Sequence, residues 1–229
     1  MTTAVLDQVI TTQPNLKHLF DELHAQRVKS MAPADLASNI RQRQYLKDTF
    51  DAASAAQVGD AFPDFVLEEV NGGQLTRDAL LADGPLVLVF FRFATCPACN
   101  IALPYYQRTL YPALQQLGAS LLAVSPQQVD RLGEIKSKHG FEFAVASDSD
   151  NQLGHQLGIV YQYDDASKAA ALAKGYAIGE ITGTGKWELP MPTVIVLDRA
   201  GVIRFIDVAP DWLDRTDVGP VLAAVRAAR

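Results

Sequence analysis

Hydrophobic positions along the chain fall into two regimes. Before Gly59 there is no glycine, and apolar residues recur at helical spacing: Leu16, Leu19, Phe20 and Leu23, then Leu36 and Ile40. Steps of three and four place such residues on one helix face, so the stretch predicts a helical arm interrupted near Pro33. From Gly59 onward, glycine and proline appear, and β-branched runs alternate with helix-length segments, the pattern of an α/β domain. A short strand near Phe65 to Leu67 leads into the Asn71-Gly72-Gly73 turn. Leu86 to Phe93 is apolar throughout except for Arg92 near its end, which predicts a central strand buried on both faces. Pro97 opens a helix to about Leu117, closed by Gly118. Leu121 to Val124 is a second buried strand, and Gln127 to Lys138 a second helix ending at His139-Gly140. A weaker strand and helix follow, Phe143 to Ala146 and Gln152 to Leu157. Thr193 to Leu197 and Val202 to Val208 flank Asp198-Arg199-Ala200-Gly201, a hairpin signature with glycine where a positive φ is wanted. Val218 to Ala227 is the final helix.

These elements divide the chain into a helical arm over residues 1–57 and an α/β domain over 58–229, with an insertion at about 159–190. The arm has two readings. Its apolar stripe either caps one face of the domain or makes a homodimer contact. With 229 residues, 48% hydrophobic and 20% charged, the chain has enough apolar content for one sizeable core. A formal charge of −6 gives no general attraction to phosphate backbones, so nucleic acid is not an expected partner. Met1 to Ile10 lacks the basic start and continuous apolar stretch of a secretory signal. The longest apolar run, Leu86 to Phe91, is far too short to span a bilayer. A soluble, cytoplasmic protein without membrane partners is the expectation.

Only two cysteines occur, in the segment Thr95-Cys96-Pro97-Ala98-Cys99. Two are too few for a disulfide framework, and a core of this size needs no staple, so their short-range pairing points to chemistry. The pattern places Cys96 at the N-cap of the helix and Cys99 in its first turn, where unsatisfied amides and the helix dipole stabilise negative charge. Such placement lowers a thiol pKa from roughly 8.5 to about 7 or below. Two intervening residues also allow a disulfide to close across one turn, so the pair can cycle. From Gly84 to Val129 there is no Asp or Glu, and the only charges are Arg92 and Arg108. Buried strands exclude carboxylates in any case, which accounts for most of this run.

Other signals carry less. Zinc would need two further ligands, and His18, His24, His139 and His155 show no paired spacing, so neither metal nor other cofactor is expected. Gly183-Thr184-Gly185-Lys186 fails as a phosphate loop, because position 180 is Glu180 and Trp187 follows the lysine. Trp187 is read equally well as lining the mouth of the site and as a packing anchor for the insertion. Asp207, Asp211, Asp214 and Asp217 form a loose acidic stretch without calcium-loop spacing, expected to be a solvated turn.

Strand, helix, strand, then hairpin and helix is the order of a thioredoxin fold, a central mixed sheet flanked by helices, here with an N-terminal helical extension. Cys96-Pro97-Ala98-Cys99 through Pro104 resembles the thioredoxin active-site helix. Met191-Pro192-Thr193-Val194 resembles the loop in which that superfamily sets a cis-proline against the disulfide, which makes Pro192 the candidate for that role; the plain alternative is a strand-start proline. Gly59-Asp60-Ala61-Phe62-Pro63-Asp64-Phe65, and Val194 to Asp198 with Gly201-Val202-Ile203-Arg204, resemble the opening and closing segments of the peroxiredoxins, the alkyl hydroperoxide reductase and thiol-specific antioxidant family. A peroxiredoxin-like branch carrying Cys-x-x-Cys resembles the chain in its arm as well. Aligned on the family's Pro-x-x-x-Thr-x-x-Cys, Cys99 takes the peroxidatic position, Cys96 the threonine and Arg92 the proline. The family's second arginine is absent, and Arg92 is the candidate to substitute.

The resemblance implies a thiol peroxidase in which Cys99 attacks a hydroperoxide, Cys96 resolves the sulfenic acid and a thioredoxin-like or other external dithiol restores both. Two alternatives stand beside it. One is a protein disulfide reductase in which the more exposed Cys96 attacks. The other is a redox sensor, not an enzyme, whose disulfide alters how the arm packs. Thr95, Pro97, Arg92, Pro192 and Trp187 are the expected supports of Cys96 and Cys99.

Overall fold

The computed structural model describes residues 15–229; Met1 to Ile10, read above for a leader, lie outside the described residues. Two helices come first, α1 (Leu16–Ser30) and α2 (Pro33–Thr49). Asn15 caps α1 by accepting from the His18 amide at 2.8 Å, and Pro33, which has no N–H to place in a ladder, opens α2. The domain then runs β1 (Val66–Glu69), β2 (Gln74–Thr76), α3 (Arg77–Leu81), β3 (Leu86–Phe90), α4 (Cys99–Thr109), α5 (Tyr111–Gln116), β4 (Ser120–Ser125), α6 (Val129–His139), β5 (Ala144–Ser147) and α7 (Gln152–Gln156). It continues through β6 (Val160–Gln162), α8 (Asp165–Leu172), α9 (Ile178–Thr182), β7 (Glu188–Pro190), β8 (Thr193–Leu197), β9 (Ile203–Val208) and α10 (Val218–Ala227).

Seven strands form one mixed sheet in the order β2-β1-β5-β4-β3-β8-β9. β3 pairs parallel with β4 and antiparallel with β8, so it sits inside the sheet with all five residues buried. Its alternating side chains build the two halves of the core. Leu86, Leu88 and Phe90 join Phe62, Leu122 and Ile195 on one face, while Val87 and Val89 join Leu103, Tyr106, Leu222 and the arm on the other. Helices therefore cover both faces of a thioredoxin fold. β6 and β7 make a separate antiparallel pair within residues 159–190.

Three expectations change. The strand through Phe93 ends at Phe90, freeing Phe91 to Phe93 to lead toward the cysteines. The single helix to Leu117 is two segments meeting at Leu110, because Pro112 has no N–H to give the carbonyl of Arg108. The helix also starts at Cys99, with Ala98 as its cap and Cys96 preceding it. The Cys96 carbonyl still accepts the first i to i−4 bond, from Asn100 at 3.0 Å.

The arm lies on the domain, but by different means along its length. Leu16 and Phe20 of α1 are buried against α4 and the neighbouring core. Ile40, expected on the same stripe, is 45% exposed; α2 turns Gln42 and Leu46 inward instead. Charge holds this second helix. Arg43 grips Asp211 with two bonds, Nε at 2.6 Å and Nη2 at 2.8 Å, and Lys47 stands 3.7 Å from the same carboxylate. Arg41 reaches Asp164 and Ser167 at the start of α8. Asp211 is thus no solvated turn residue: it is 3% exposed and also accepts from the Leu213 amide.

Burial alone would raise the Asp211 pKa, but the bonds from Arg43 and the Leu213 amide and the charge of Lys47 outweigh it and hold the carboxyl below its ordinary 3.8. A depressed folded-state pKa gives stability that is present above the unfolded value and lost as pH falls through the folded one. Urea unfolding should therefore show an Asp211-dependent contribution that is constant above about pH 4 and disappears below it. Arg43→Met should cost about 2 kcal/mol at pH 7 and raise hydrogen exchange in α2 first. Equal stability of the variant at pH 7 would refute this account of the arm.

Candidate active site

Residues 93–98 form the connection that carries Cys96 to the mouth of α4. Four bonds brace it. Ala94 donates to Gln127 Oε1 at 2.7 Å, Cys96 N–H to the Phe93 carbonyl at 3.2 Å, and Asn100 Nδ2 to the carbonyls of Ala94 and Cys96 at 2.6 and 2.9 Å. Asn100 is held in turn by Lys138 and by His139, whose ring stacks on Phe141 and whose pKa is lowered by burial and the nearby Lys138 and Arg108 charges.

Cys96 and Cys99 are both reduced and both 1% exposed, so Cys96 is not the more accessible thiol by surface. Their settings differ instead. Cys96 borders a half-open cavity of about 250 Å³ between the arm and the domain, whereas Cys99 borders a space of about 10 Å³ shared with Pro192 and Arg215. The smaller space holds one water at most. Arg92, 7% exposed, sets Nη1 3.9 Å from Cys96 Sγ and donates from Nη2 to the Tyr163 hydroxyl at 2.7 Å. Its guanidinium lies 5.1 Å from the Trp212 ring centre and 5.3 Å from that of Phe93.

The electrostatics separate the two thiols. A hydrogen bond from Cys99 to the Cys96 sulfur, with the charges of Arg92 and Arg215, overcomes burial and holds Cys96 well below the ordinary thiol value. Burial and the neighbouring Cys96 charge push Cys99 well above it. Two close thiols cannot both ionise, and the one facing Arg92 takes the charge.

The AhpC/TSA family profile matches residues 58–206. The chain belongs to the AhpC/TSA family. A protein of Mycobacterium tuberculosis (strain ATCC 25618 / H37Rv) named as a peroxiredoxin is 27% identical over 103 residues, 45% of this chain. The match spans 66% of that relative's length. The thiol-disulfide oxidoreductase ResA of Geobacillus thermodenitrificans (strain NG80-2) is 30% identical over 160 residues, 69% of this chain and 72% of ResA. Among solved structures, the peroxidoxin BcpB of Mycobacterium tuberculosis superposes with a TM-score of 0.59 at 22% identity, covering 76% of this chain and 98% of that one. This likeness is one of fold, that of peroxiredoxins within the thioredoxin superfamily. Residues 15–57, which supply one wall of the cavity, precede the part matched to the AhpC/TSA family.

Against that family frame, the expected supports divide. Arg92 stands at the thiol, and Thr95 and Pro97 line the exposed rim of the cavity. Pro192 comes beside Cys99, but among the described residues there is no cis peptide bond. The extended path fits a trans proline, since the Met191 amide donates to the Ile159 carbonyl and the Pro192 carbonyl accepts from Ala209, each at 2.8 Å. The Met191 carbonyl accepts from the Thr193 hydroxyl at 2.9 Å. Trp187 is a packing anchor: its ring meets Tyr163 edge-on at 5.6 Å and its carbonyl accepts the Tyr163 amide. Tyr163, Trp212, Gln127 and Arg27 escaped the sequence reading. Only Arg27 left a trace there, as the next step of the Leu16, Phe20, Leu23 stripe. Among the described residues no group of three or more His, Cys, Asp or Glu side chains could hold a metal ion, and no helix is long and apolar enough to cross a membrane.

Alkylation with iodoacetamide should modify Cys96 with a half-maximal rate well below pH 9, while Cys99 stays unmodified until the protein unfolds. Removing the neighbouring charge by Arg92→Met should move the Cys96 profile to higher pH. Mass-spectrometric pH-rate profiles check both, and one common profile for the two thiols would refute the assignment.

Proposed function

We propose that the chain is a thiol peroxidase in which Cys96 attacks the hydroperoxide and Cys99 resolves. The observation that carries this reading is the cavity bordered by Cys96, whose sulfur faces the buried Arg92 guanidinium. It reverses the roles that alignment with the family motif implies. The Cys96 thiolate attacks the distal oxygen of ROOH; the S–O bond forms as the O–O bond breaks, giving a sulfenic acid and an alkoxide that leaves as ROH after taking a proton. The Arg92 charge favours both the starting thiolate and the negative charge that develops on the departing oxygen. Cys99 sulfur, losing its proton, then bonds to the Cys96 sulfur and water departs, leaving a Cys96–Cys99 disulfide. A thioredoxin-like or other external dithiol returns both thiols to the reduced state.

A second reading, reduction of protein disulfides, has the likeness to ResA in its favour. Access favours the first. Cys96 is 1% exposed beneath the arm, so a small hydroperoxide reaches it where a protein disulfide does so only if the arm lifts. The same condition applies to a protein donor in the reductive half. A cycle fed by an external dithiol suits a reducing, cytoplasmic setting.

Purified protein supplied with a thioredoxin system should consume hydroperoxide, and Cys96→Ser should abolish this. Cys99→Ser treated with one equivalent of peroxide should accumulate sulfenic acid at Cys96, detected by dimedone labelling. Labelling of Cys99 in Cys96→Ser, with none of Cys96 in Cys99→Ser, would restore the alignment-based roles.

A further inference from the structure

The cavity over Cys96 is larger than hydrogen peroxide needs, since a water occupies roughly 30 Å³ in the liquid and the cavity is about 250 Å³. Its walls are uneven in chemistry. Met31, Ala170, Ala171 and Ile178 give an apolar side, and no Asp or Glu is among the described residues that line it. Lys174 is paired with Asp35 at 3.0 Å at the rim, so the cations left facing the interior are Arg92 and Arg27. Arg92 is engaged by Cys96 and Tyr163. Arg27 is half-buried, borders the same cavity and makes no side-chain hydrogen bond or ion pair among the described residues. The Arg27 guanidinium lies over the Trp212 ring, 5.1 Å from its centre, which places the cation at the cavity wall. A half-buried cation with no counter-charge beside it favours an anion in that position.

We infer that the arm builds a subsite for a small organic carboxylate in this cavity, with Arg27 as its cation. A carboxylate has two oxygens that match the forked guanidinium, and its short apolar body has the Met31, Ala171 and Ile178 wall to lie against. The ligand enters the cycle either as a hydroperoxide that carries a carboxylate or as a thiol reductant that carries one. This subsite refines the peroxidase reading by naming what the site recognises beyond the reacting atoms. The charge of the Cys96 thiolate opposes an incoming carboxylate, so binding is tighter once that sulfur is neutral.

Calorimetric titration of the full-length Cys96→Ser protein with butyrate, and with butyramide as the neutral isostere, tests the subsite without any turnover. Butyrate should bind and butyramide should bind about tenfold more weakly or not at all. Adding Arg27→Gln should weaken butyrate by about tenfold, and Arg27→Lys should restore part of it. Equal binding of the two probes, or butyrate affinity unchanged by Arg27→Gln in a protein with wild-type circular dichroism, overturns the inference. In the wild type, a higher kcat/KM for a carboxylate-bearing hydroperoxide than for its methyl ester, lost in Arg27→Gln, supports the inference and assigns the subsite to the oxidant. Faster reduction of the oxidised protein by 3-mercaptopropionate than by 2-mercaptoethanol, with the same loss, supports it and assigns the subsite to the reductant. If peroxide is consumed but neither preference appears and butyrate does not bind, the subsite fails and the peroxidase stands. If butyrate binds as described but no hydroperoxide is consumed, the peroxidase fails and the subsite stands.

Discussion

Arg92 carries a guanidinium into a place where water barely reaches it, and that charge must be answered locally. No carboxylate answers it among the groups that touch it. What surrounds it is a thiol, a phenol hydroxyl and the faces of two aromatic rings, from Cys96, Tyr163, Phe93 and Trp212. Of these, the Cys96 sulfur is the group that ionises most readily, so the requirement of a buried cation for a counter-charge and the requirement of a nucleophile for a thiolate are met by one contact.

Three separate parts of the chain are recruited to that contact. The end of β3 and the turn before α4 supply Arg92, Phe93 and Cys96; the insertion supplies Tyr163 beside β6; and the segment after β9 supplies Trp212. Each is fixed by its own anchors: Gln127 and Asn100 for the first, the Tyr163 to Trp187 backbone bond for the second, and the Arg43 to Asp211 pair for the third. A guanidinium packed among rings tolerates little displacement, because stacking and hydrogen bonding both depend on its plane.

The arm changes the character of the site. A thiol on the lip of an open α/β sheet is reached by large and small partners alike, but α1 and α2 add a wall that turns the region over Cys96 into a cleft with its own lining. The two helices are held differently, α1 by buried Leu16 and Phe20 and α2 by charged pairs with Asp211 and Asp164. Surface and half-buried ion pairs are weaker and more sensitive to pH and salt than a packed apolar stripe.

The chain's own pattern set the order of the main strands and helices outside the insertion, the burial of the central strands, the position of the cysteine pair near a helix start and the hairpin at Gly201. Each of these is a local matter, decided by apolar period, by glycine and proline, and by residues a few positions apart. It also placed Arg92, since four residues separate it from Cys96. Only the tertiary structure decided which thiol carries the charge. The alignment pointed to Cys99, but the difference lies in which sulfur faces a guanidinium and which faces a space of a single water, and spacing along a helix does not encode that. The inward turn of Gln42 in place of Ile40, the burial of Asp211, and the meeting of Arg27 with Trp212 are likewise contacts between residues far apart in sequence. Such contacts follow from how helices and loops pack on the sheet, because the same local pattern is compatible with several packings and only the assembled core selects one.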